Sequence, residues 1–148
     1  MTLQLPNVTF PTTAGEVNLT QITATYLILY FYPKDNTPGC TLESQDFNHH
    51  YDRLTQLDAL IYGVSRDSIQ SHTQFKNKCA LRFELISDAN QILCQHFKVL
   101  KLKKNYGKTY TGIERSSFLF AQGKCIQEWR NVKVDGHVAQ VIQAIEDH

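Results

Sequence analysis

Several absences narrow the functions open to this 148-residue chain. Neither sign of charge is in excess, since 15 Lys and Arg against 14 Asp and Glu leave a net charge of +1. The electrostatic field of such a chain is too weak to attract nucleic acid or an anionic membrane. The longest apolar run, residues 26–32, is far below the roughly 20 residues that cross a bilayer. The amino terminus has neither the basic start nor the apolar stretch of a secretory signal. We therefore expect a cytoplasmic protein that binds neither nucleic acid nor membrane.

The cysteines do not have the spacing of a disulfide framework. The chain has four of them, and none belongs to a Cys-x-x-Cys pair: Cys40, Cys79, Cys94 and Cys125. The six histidines add no ligand spacing, so we expect no metal and no cofactor. In a reducing compartment, such cysteines are more often buried or catalytic than bridged. We expect Cys94 and Cys125 to be core residues, the latter on a strand face shared with Trp129.

Hydrophobic periodicity predicts alternating strands and helices in one domain, residues 1–148. Strands are expected at residues 8–10, 16–19, 26–32, 59–65, 85–87, 117–120 and 125–129, the first two and the last two as hairpins. Helices are expected at residues 41–57, 69–79, 90–97 and 138–145, and the basic segment 98–112 is expected to be an exposed loop. This order predicts an α/β fold with an amino-terminal hairpin and a central mixed sheet with helices on both faces.

One cysteine lies where a buried strand passes into a helix. Pro33 ends the strand because it has no N–H, and Pro38-Gly39 forces a tight turn. Cys40 then falls in the first helical turn, where free backbone N–H groups and the helix dipole favour the thiolate, the nucleophilic form. Thr37 lies one turn earlier, with a hydroxyl that can donate or accept beside the sulfur. Alone, a cysteine after Pro-Gly is as often inert as reactive, but this context favours reactivity.

The spacing Pro33-x-x-x-Thr37-x-x-Cys40 resembles the peroxidatic motif of peroxiredoxins. The wider segment 30–41 is similar to the bacterioferritin-comigratory (peroxiredoxin Q) subfamily. Similarity continues through residues 63–67, 85–88, 106–108, 112–118 and 129–130, and so covers nearly the whole chain. The resemblance implies a thioredoxin-like fold in which Thr37-Pro38-Gly39-Cys40 stands where thioredoxins carry Cys-x-x-Cys.

The resemblance also implies roles for two charged residues. Arg115 matches the arginine that family members aim at the peroxidatic sulfur, although on sequence alone it reads as a solvated charge. Glu43 matches a family glutamate that supports the site, and a carboxylate at the surface of a helix start is an equal interpretation.

The chain departs from many subfamily members at the resolving step. Those proteins carry a second cysteine five residues after the first, where this chain has Gln45. The resemblance makes Cys79 the first choice as resolving cysteine. Its helical stripe with Ile69 and Phe75 supports the alternative of a packed structural thiol. A disulfide with Cys40 needs Cα atoms within about 7 Å, so we expect local unwinding around both residues.

These features predict a thiol-dependent peroxidase that reduces hydrogen peroxide and organic hydroperoxides through a sulfenic acid at Cys40. Cys79 would then form a disulfide that thioredoxin reduces. One alternative is a one-cysteine peroxidase reduced by an external thiol, such as glutathione or glutaredoxin. Others are a thiol–disulfide exchange enzyme, disfavoured by the absence of Cys-x-x-Cys, and a non-catalytic redox sensor. A monomer or weak homodimer is expected.

Overall fold

The computed structural model describes residues 3–148 and has a seven-stranded sheet at its centre. Its strands are β1 (Thr9–Thr12), β2 (Gly15–Asn18), β3 (Tyr26–Phe31), β4 (Ala59–Ser65), β5 (Glu84–Ser87), β8 (Ser116–Ala121) and β9 (Lys124–Trp129). Two further strands, β6 (Leu100–Asn105) and β7 (Lys108–Ile113), form a separate antiparallel hairpin. The helices are α1 (Pro38–His49), α2 (Tyr51–Gln56), α3 (Ile69–Cys79), α4 (Ile92–His96) and α5 (His137–Glu146), with a 3₁₀ turn at Leu19–Gln21.

The strands are arranged in the order β2-β1-β5-β4-β3-β8-β9. β3, β4 and β5 are parallel, and the other pairings are antiparallel. β3 lies between two neighbours and is buried on both faces, which explains its apolar sequence without alternation. The carboxyl ends of the three parallel strands meet at one edge, where α/β sheets commonly carry their sites, and α1 follows β3 there. The predicted mixed sheet and amino-terminal hairpin, β1–β2, are confirmed.

The sheet separates two hydrophobic cores. The helical core lies on one face, where Phe47 of α1, Leu54 of α2, Phe75 of α3 and Val141 of α5 pack. The opposite core contains the buried residues of α4 and the residues just after it, among them Leu93, Cys94, Phe97 and Val99. Helices therefore cover both faces, as the sequence predicts, although four of the five lie on one side. No helix within residues 3–148 is both long and apolar enough to span a bilayer.

Tyr30 fixes α1 against the sheet. Its ring stacks on Phe47 with centroids 4.7 Å apart, and its hydroxyl lies 2.8 Å from Ser44 Oγ. The neighbouring strand leaves space for this ring because Gly63 has no side chain, and a Cβ there would lie 2.7 Å from Tyr30 Oη. The tyrosine thereby sets the position of the helix that carries Cys40.

The prediction of an exposed loop at residues 98–112 is wrong. Most of this segment forms the β6–β7 hairpin, whose connection has positive φ at Tyr106 (52°) and Gly107 (76°). These are the values that a two-residue hairpin turn requires. The sequence hides the strands because most of their side chains are exposed and polar, which removes the hydrophobic alternation.

Two smaller predictions also need correction. The single helix expected at residues 41–57 is divided at His50, which separates α1 from α2 and whose ring Nδ1 lies 2.9 Å from the Asp46 carbonyl oxygen. No glycine or proline marks this break. A β-bulge in β9 places Ile126 between the partners of Leu119 and Phe120. The extra residue reverses the facing of the strand, so Cys125 packs on the opposite core and Trp129 on the helical core rather than on a shared face.

Candidate active site

Cys40 is the third residue of α1 and is 1% exposed. Thr37, just before the helix, has extended backbone (φ −92°, ψ 155°), and Pro38 takes the first helical position, where a missing N–H costs little. The N–H of Thr41 donates to the Thr37 carbonyl oxygen at 2.8 Å, which closes the first turn. The predicted placement of Cys40 in that turn is confirmed. Backbone N–H groups without intrahelical acceptors surround it and favour an anion.

Arg115 joins Cys40 to Glu43. It follows β7 in the chain, and its Nη2 donates to Cys40 Sγ at 3.5 Å while its Nη1 donates to Glu43 Oε1 at 2.6 Å. Gly39 leaves room for this arrangement, since a Cβ there would lie 3.1 Å from Nη2. A guanidinium presents its donors in a rigid fork, so Glu43 sets the orientation in which Arg115 meets the sulfur. The structure thus brings together three residues that the sequence singled out.

Glu43 is fully buried, with 0% exposure, and the interpretation as a surface carboxylate is wrong. Burial raises its pKa to about 7, although the Arg115 charge and hydrogen bond act in the opposite direction. Its second oxygen, Oε2, has no hydrogen-bond partner within residues 3–148. The site therefore contains a carboxyl group that changes its charge near neutral pH.

Thr37 and Pro33 belong to the loop between β3 and α1. The Thr37 hydroxyl donates to the Lys34 carbonyl oxygen at 3.0 Å and makes no capping bond to the helix. Because its proton is committed to Lys34, the hydroxyl oxygen is free to accept a hydrogen bond from a ligand. Pro33 is half-buried and comes directly after Tyr32, so it begins the loop where strand pairing stops.

Cys79 is the last residue of α3, half-buried against the same helical core as Cys40. Burial raises the pKa of its thiol, and the Lys78 charge lowers it. The Lys78 ammonium donates to Asn36 Oδ1 at 2.6 Å, so the end of α3 reaches the loop that precedes Cys40. Both thiols are free in this structure.

The two remaining cysteines lie on the opposite core. Cys94 is fully buried, as predicted, and burial is the main reason that the pKa of its thiol is raised. Cys125 is only half-buried, which falls short of the predicted core position. Burial also raises the pKa of Cys125. Neither thiol is in an environment that favours the nucleophilic form.

Lys103 is a residue at this site that sequence reasoning missed. Its ammonium donates to the Ile113 carbonyl oxygen at 2.7 Å, and its chain crosses Gly112, where a Cβ would lie 2.9 Å from Lys103 Cδ. Burial and then the Arg115 charge lower the pKa of Lys103, whereas Cys40 raises it. Within the basic segment nothing in the sequence distinguished Lys103 from Lys101 or Lys104, because its inward position depends on contacts with Gly112 and Ile113 of the partner strand β7.

Two surface cavities lie away from the predicted site residues. One, of about 720 Å³, lies near the amino-terminal end of β3 and is lined by residues such as Leu19, Ile22 and Leu27. A second, of about 350 Å³, is lined by residues 21–24 and neighbours including Tyr51. The site around Cys40 is instead a closed arrangement of buried polar groups.

Comparison with known proteins identifies the family of this chain. The AhpC/TSA family profile matches residues 1–128. The chain belongs to the AhpC/TSA family. Peroxiredoxin Bcp of Bacillus subtilis is 50% identical over 132 residues, which cover 88% of this chain and 84% of the relative. Peroxiredoxin Bcp of Xanthomonas campestris is 45% identical over 152 residues, 99% of this chain and 95% of the relative.

Solved peroxiredoxin structures share the fold. Xanthomonas campestris peroxiredoxin Q superposes with a TM-score of 0.92 at 43% identity, covering 99% of this chain and 96% of that one. The bacterioferritin comigratory protein of the same organism, studied for alkyl peroxide reduction in trapped intermediate and ligand complexes, gives 0.92 at 42% identity with coverages of 99% and 97%. The predicted thioredoxin-like fold is confirmed. The protein is a peroxiredoxin, an enzyme that reduces peroxides with a cysteine thiol and needs a thiol reductant.

Proposed function

We propose that Cys40 is the peroxidatic cysteine of this peroxiredoxin and that Thr37, Arg115 and Pro33 complete its site. The observation that carries the proposal is the 3.5 Å contact between Arg115 Nη2 and Cys40 Sγ in the first turn of α1. A guanidinium and free backbone N–H groups both stabilise a thiolate there. Among the four cysteines, Cys40 alone combines these two features in the described structure.

The chemistry follows from the donors and acceptors around Cys40. The Cys40 thiolate attacks the nearer peroxide oxygen and the O–O bond breaks, so Cys40 becomes sulfenic acid. The departing oxygen takes up a proton and leaves as water or alcohol. The Thr37 oxygen accepts a hydrogen bond from the incoming peroxide, while Arg115 stabilises charge on the leaving oxygen. Pro33 fixes the start of the loop that leads to Thr37 and Cys40. Hydrogen peroxide and organic hydroperoxides are the proposed substrates, since a relative was studied for alkyl peroxide reduction.

Cys79 is the proposed resolving cysteine. Its thiol condenses with the Cys40 sulfenic acid, a disulfide forms and water leaves. Thioredoxin then supplies two electrons and two protons to restore both thiols. The contact between Lys78 and Asn36 supports this pairing, because it holds the end of α3 beside the loop before Cys40. In the alternative cycle, an external thiol such as glutathione attacks the sulfenic acid directly.

The setting of this cycle completes the proposal. The whole chain, residues 1–148, acts as one domain and as a monomer or weak homodimer. The cytoplasm is the proposed compartment, because the four cysteines lack the spacing of the disulfide framework that secreted proteins carry.

The role of Cys40 is tested by peroxide consumption with a thioredoxin system. We expect Cys40→Ser to lose all turnover, because the nucleophile is gone. Cys125→Ser is the matched control and should retain full activity, since Cys125 lies on the opposite core. Turnover that persists in Cys40→Ser would end the proposal.

The role of Cys79 is tested by mass spectrometry after one equivalent of peroxide. We expect a Cys40–Cys79 disulfide in the wild type and a lasting Cys40 sulfenate in Cys79→Ser. A lasting sulfenate in the wild type would instead establish the one-cysteine cycle.

A further inference from the structure

A buried polar cluster lies at the carboxyl ends of the parallel strands, and the mechanism above does not use it. Asp35, Asp67 and His72 place ligand-type atoms within 4.8 Å of one another. Asp35 belongs to the loop between β3 and α1, Asp67 follows β4, and His72 lies in α3. Asp35 is 6% exposed and His72 is 0% exposed, so water does not supply their hydrogen bonds.

The bonds of His72 determine how many protons it shares with Asp35. Its Nε2 lies 2.8 Å from the Ile86 carbonyl oxygen, which can only accept, so Nε2 carries a proton. Its Nδ1 lies 2.7 Å from Asp35 Oδ2. A bond at this distance needs a second proton between the two atoms, held either as imidazolium–carboxylate or as imidazole–carboxylic acid. The pair is therefore neutral overall and contains one shared proton.

The other bonds of Asp35 come from neutral hydroxyls. Tyr32 Oη donates to Oδ1 at 2.6 Å, and Ser71 Oγ donates to Oδ2 at 2.8 Å. The backbone N–H of Asp35 donates to Asp67 Oδ2 at 2.8 Å, an oxygen that also accepts from Ser65 Oγ at 2.6 Å. The facing atoms are thus already paired within the protein, and a metal ion would have to break these bonds.

The cluster fixes the loop that leads to Cys40. Asp35 is held through its backbone and through both carboxylate oxygens. The next residue, Asn36, has a positive φ of 62° and accepts from Lys78. Thr37 and Cys40 follow within five residues, so a displacement of Asp35 would move the groups that receive the peroxide. Misplacement of reacting groups by about 1 Å is enough to lower a rate markedly.

We propose that His72 is a positioning residue of the peroxidase reaction, acting through the proton that it shares with Asp35 to hold the loop between β3 and α1 in the conformation that places Thr37 beside Cys40. The proposal rests on the proposed function, since it assumes that Cys40 is the nucleophile. It assigns His72 to the oxidation of Cys40 and not to the later reduction of the disulfide.

Two amide substitutions separate positioning from simple packing. In His72→Asn the amide nitrogen replaces Nδ1, so the bond to Asp35 is kept and the bond to Ile86 is lost. In His72→Gln the amide nitrogen replaces Nε2, so the bond to Ile86 is kept and the bond to Asp35 is lost. Both variants are made in a Cys79→Ser background, in which the sulfenate at Cys40 accumulates and can be trapped and quantified after mixing with hydrogen peroxide.

We expect His72→Asn to form sulfenate within about twofold of the parent rate and His72→Gln to be about tenfold slower, the effect of losing one charge-assisted hydrogen bond. Thermal unfolding of both should show similar losses of stability. Equal rates in the two variants would overturn the proposal, because a purely structural role does not distinguish them.

One further variant tests the proposal even if His72→Gln does not fold. Ser71→Ala removes a second bond to the same Asp35 oxygen and leaves His72 intact. It should slow sulfenate formation about threefold, and an unchanged rate would count against the proposal. Failure of the underlying function is separate, since a parent that forms no sulfenate at all contradicts the role of Cys40 itself.

Discussion

At the scale of single residues, Arg115 contributes geometry as well as charge. One nitrogen of its guanidinium faces the Cys40 sulfur and the other is held by Glu43. Its side chain is only 16% exposed, so both bonds form in a poorly solvated environment where they are stronger than in water. A lysine at this position would have the same charge but could not make both contacts in the same fixed geometry.

Arg115→Lys should therefore lower kcat/KM for hydrogen peroxide about 10- to 100-fold, which corresponds to roughly 1.5–3 kcal/mol for one charge-assisted hydrogen bond. Steady-state kinetics with a thioredoxin system measure this. Arg53→Lys is the matched control, because Arg53 makes an exposed ion pair with Glu146 away from the site. A lysine variant with wild-type kinetics would show that the charge alone is sufficient.

At the scale of elements, the β6–β7 hairpin adds a cation to the site. Only one of its lysines is turned inward, since Lys103 is half-buried while its neighbours Lys101 and Lys104 are exposed. Its ammonium is anchored on the carbonyl of Ile113, two residues before Arg115. A positive charge in this position stabilises a thiolate at Cys40 electrostatically.

Lys103→Met should slow Cys40 oxidation at neutral pH about threefold to tenfold, since one partly buried charge that interacts with the thiolate contributes roughly 1 kcal/mol. Stopped-flow mixing with hydrogen peroxide measures the rate. Lys104→Met removes the same charge from the exposed face of the same strand and should have little effect. Equal effects of the two substitutions would assign the result to overall charge instead of position.

The elements also show what the sequence could reveal. β3 was predictable because a strand buried on both faces is apolar throughout, and α3 because Ser68 caps it and Phe75 lies on its apolar stripe. The β6–β7 hairpin was not predictable from hydrophobicity, since it is largely solvent-exposed. The contact of Arg115 with Cys40 joins residues 75 positions apart, and only family resemblance indicated it. The His72–Asp35 bond likewise depends on packing between α3 and the loop.

At the scale of the whole molecule, two buried groups give stability opposite dependences on pH. Burial raises the pKa of Glu43 to about 7, so the folded state holds a proton that the unfolded state releases. The stabilisation that this retained proton adds to the free energy of unfolding is complete below about pH 4.5 and is lost as pH rises through 7. Burial lowers the pKa of His137, which lies 2.7 Å from Ser117 Oγ, to about 4. Its contribution is complete above about pH 6.5 and is lost as pH falls through 4.

Between about pH 4.5 and 6.5 the Glu43 and His137 contributions change the free energy of unfolding in opposite directions as pH changes. Substituting either residue alone should reveal the pH dependence of the other. Relative to the wild type, Glu43→Gln should become more stable as pH rises from 4.5 to 7, by about 3 kcal/mol across the window. His137→Gln should become relatively more stable as pH falls from 6.5 to 4, by a similar amount. Urea unfolding at several pH values measures both. Parallel pH profiles for the wild type and either variant would contradict the assigned protonation state.

The bulge in β9 gives the enzyme an optical reporter of this balance. The bulge turns the later side chains of β9 to the opposite face of the sheet. The Trp129 ring therefore meets the His137 ring edge to face, with the two ring centroids 5.6 Å apart. Trp129 is the sole tryptophan of the chain. Protonated imidazole quenches indole emission, so the intrinsic fluorescence of the folded protein should dim as His137 gains its proton. Light emitted by the unlabelled enzyme thus records the charge of one interior group.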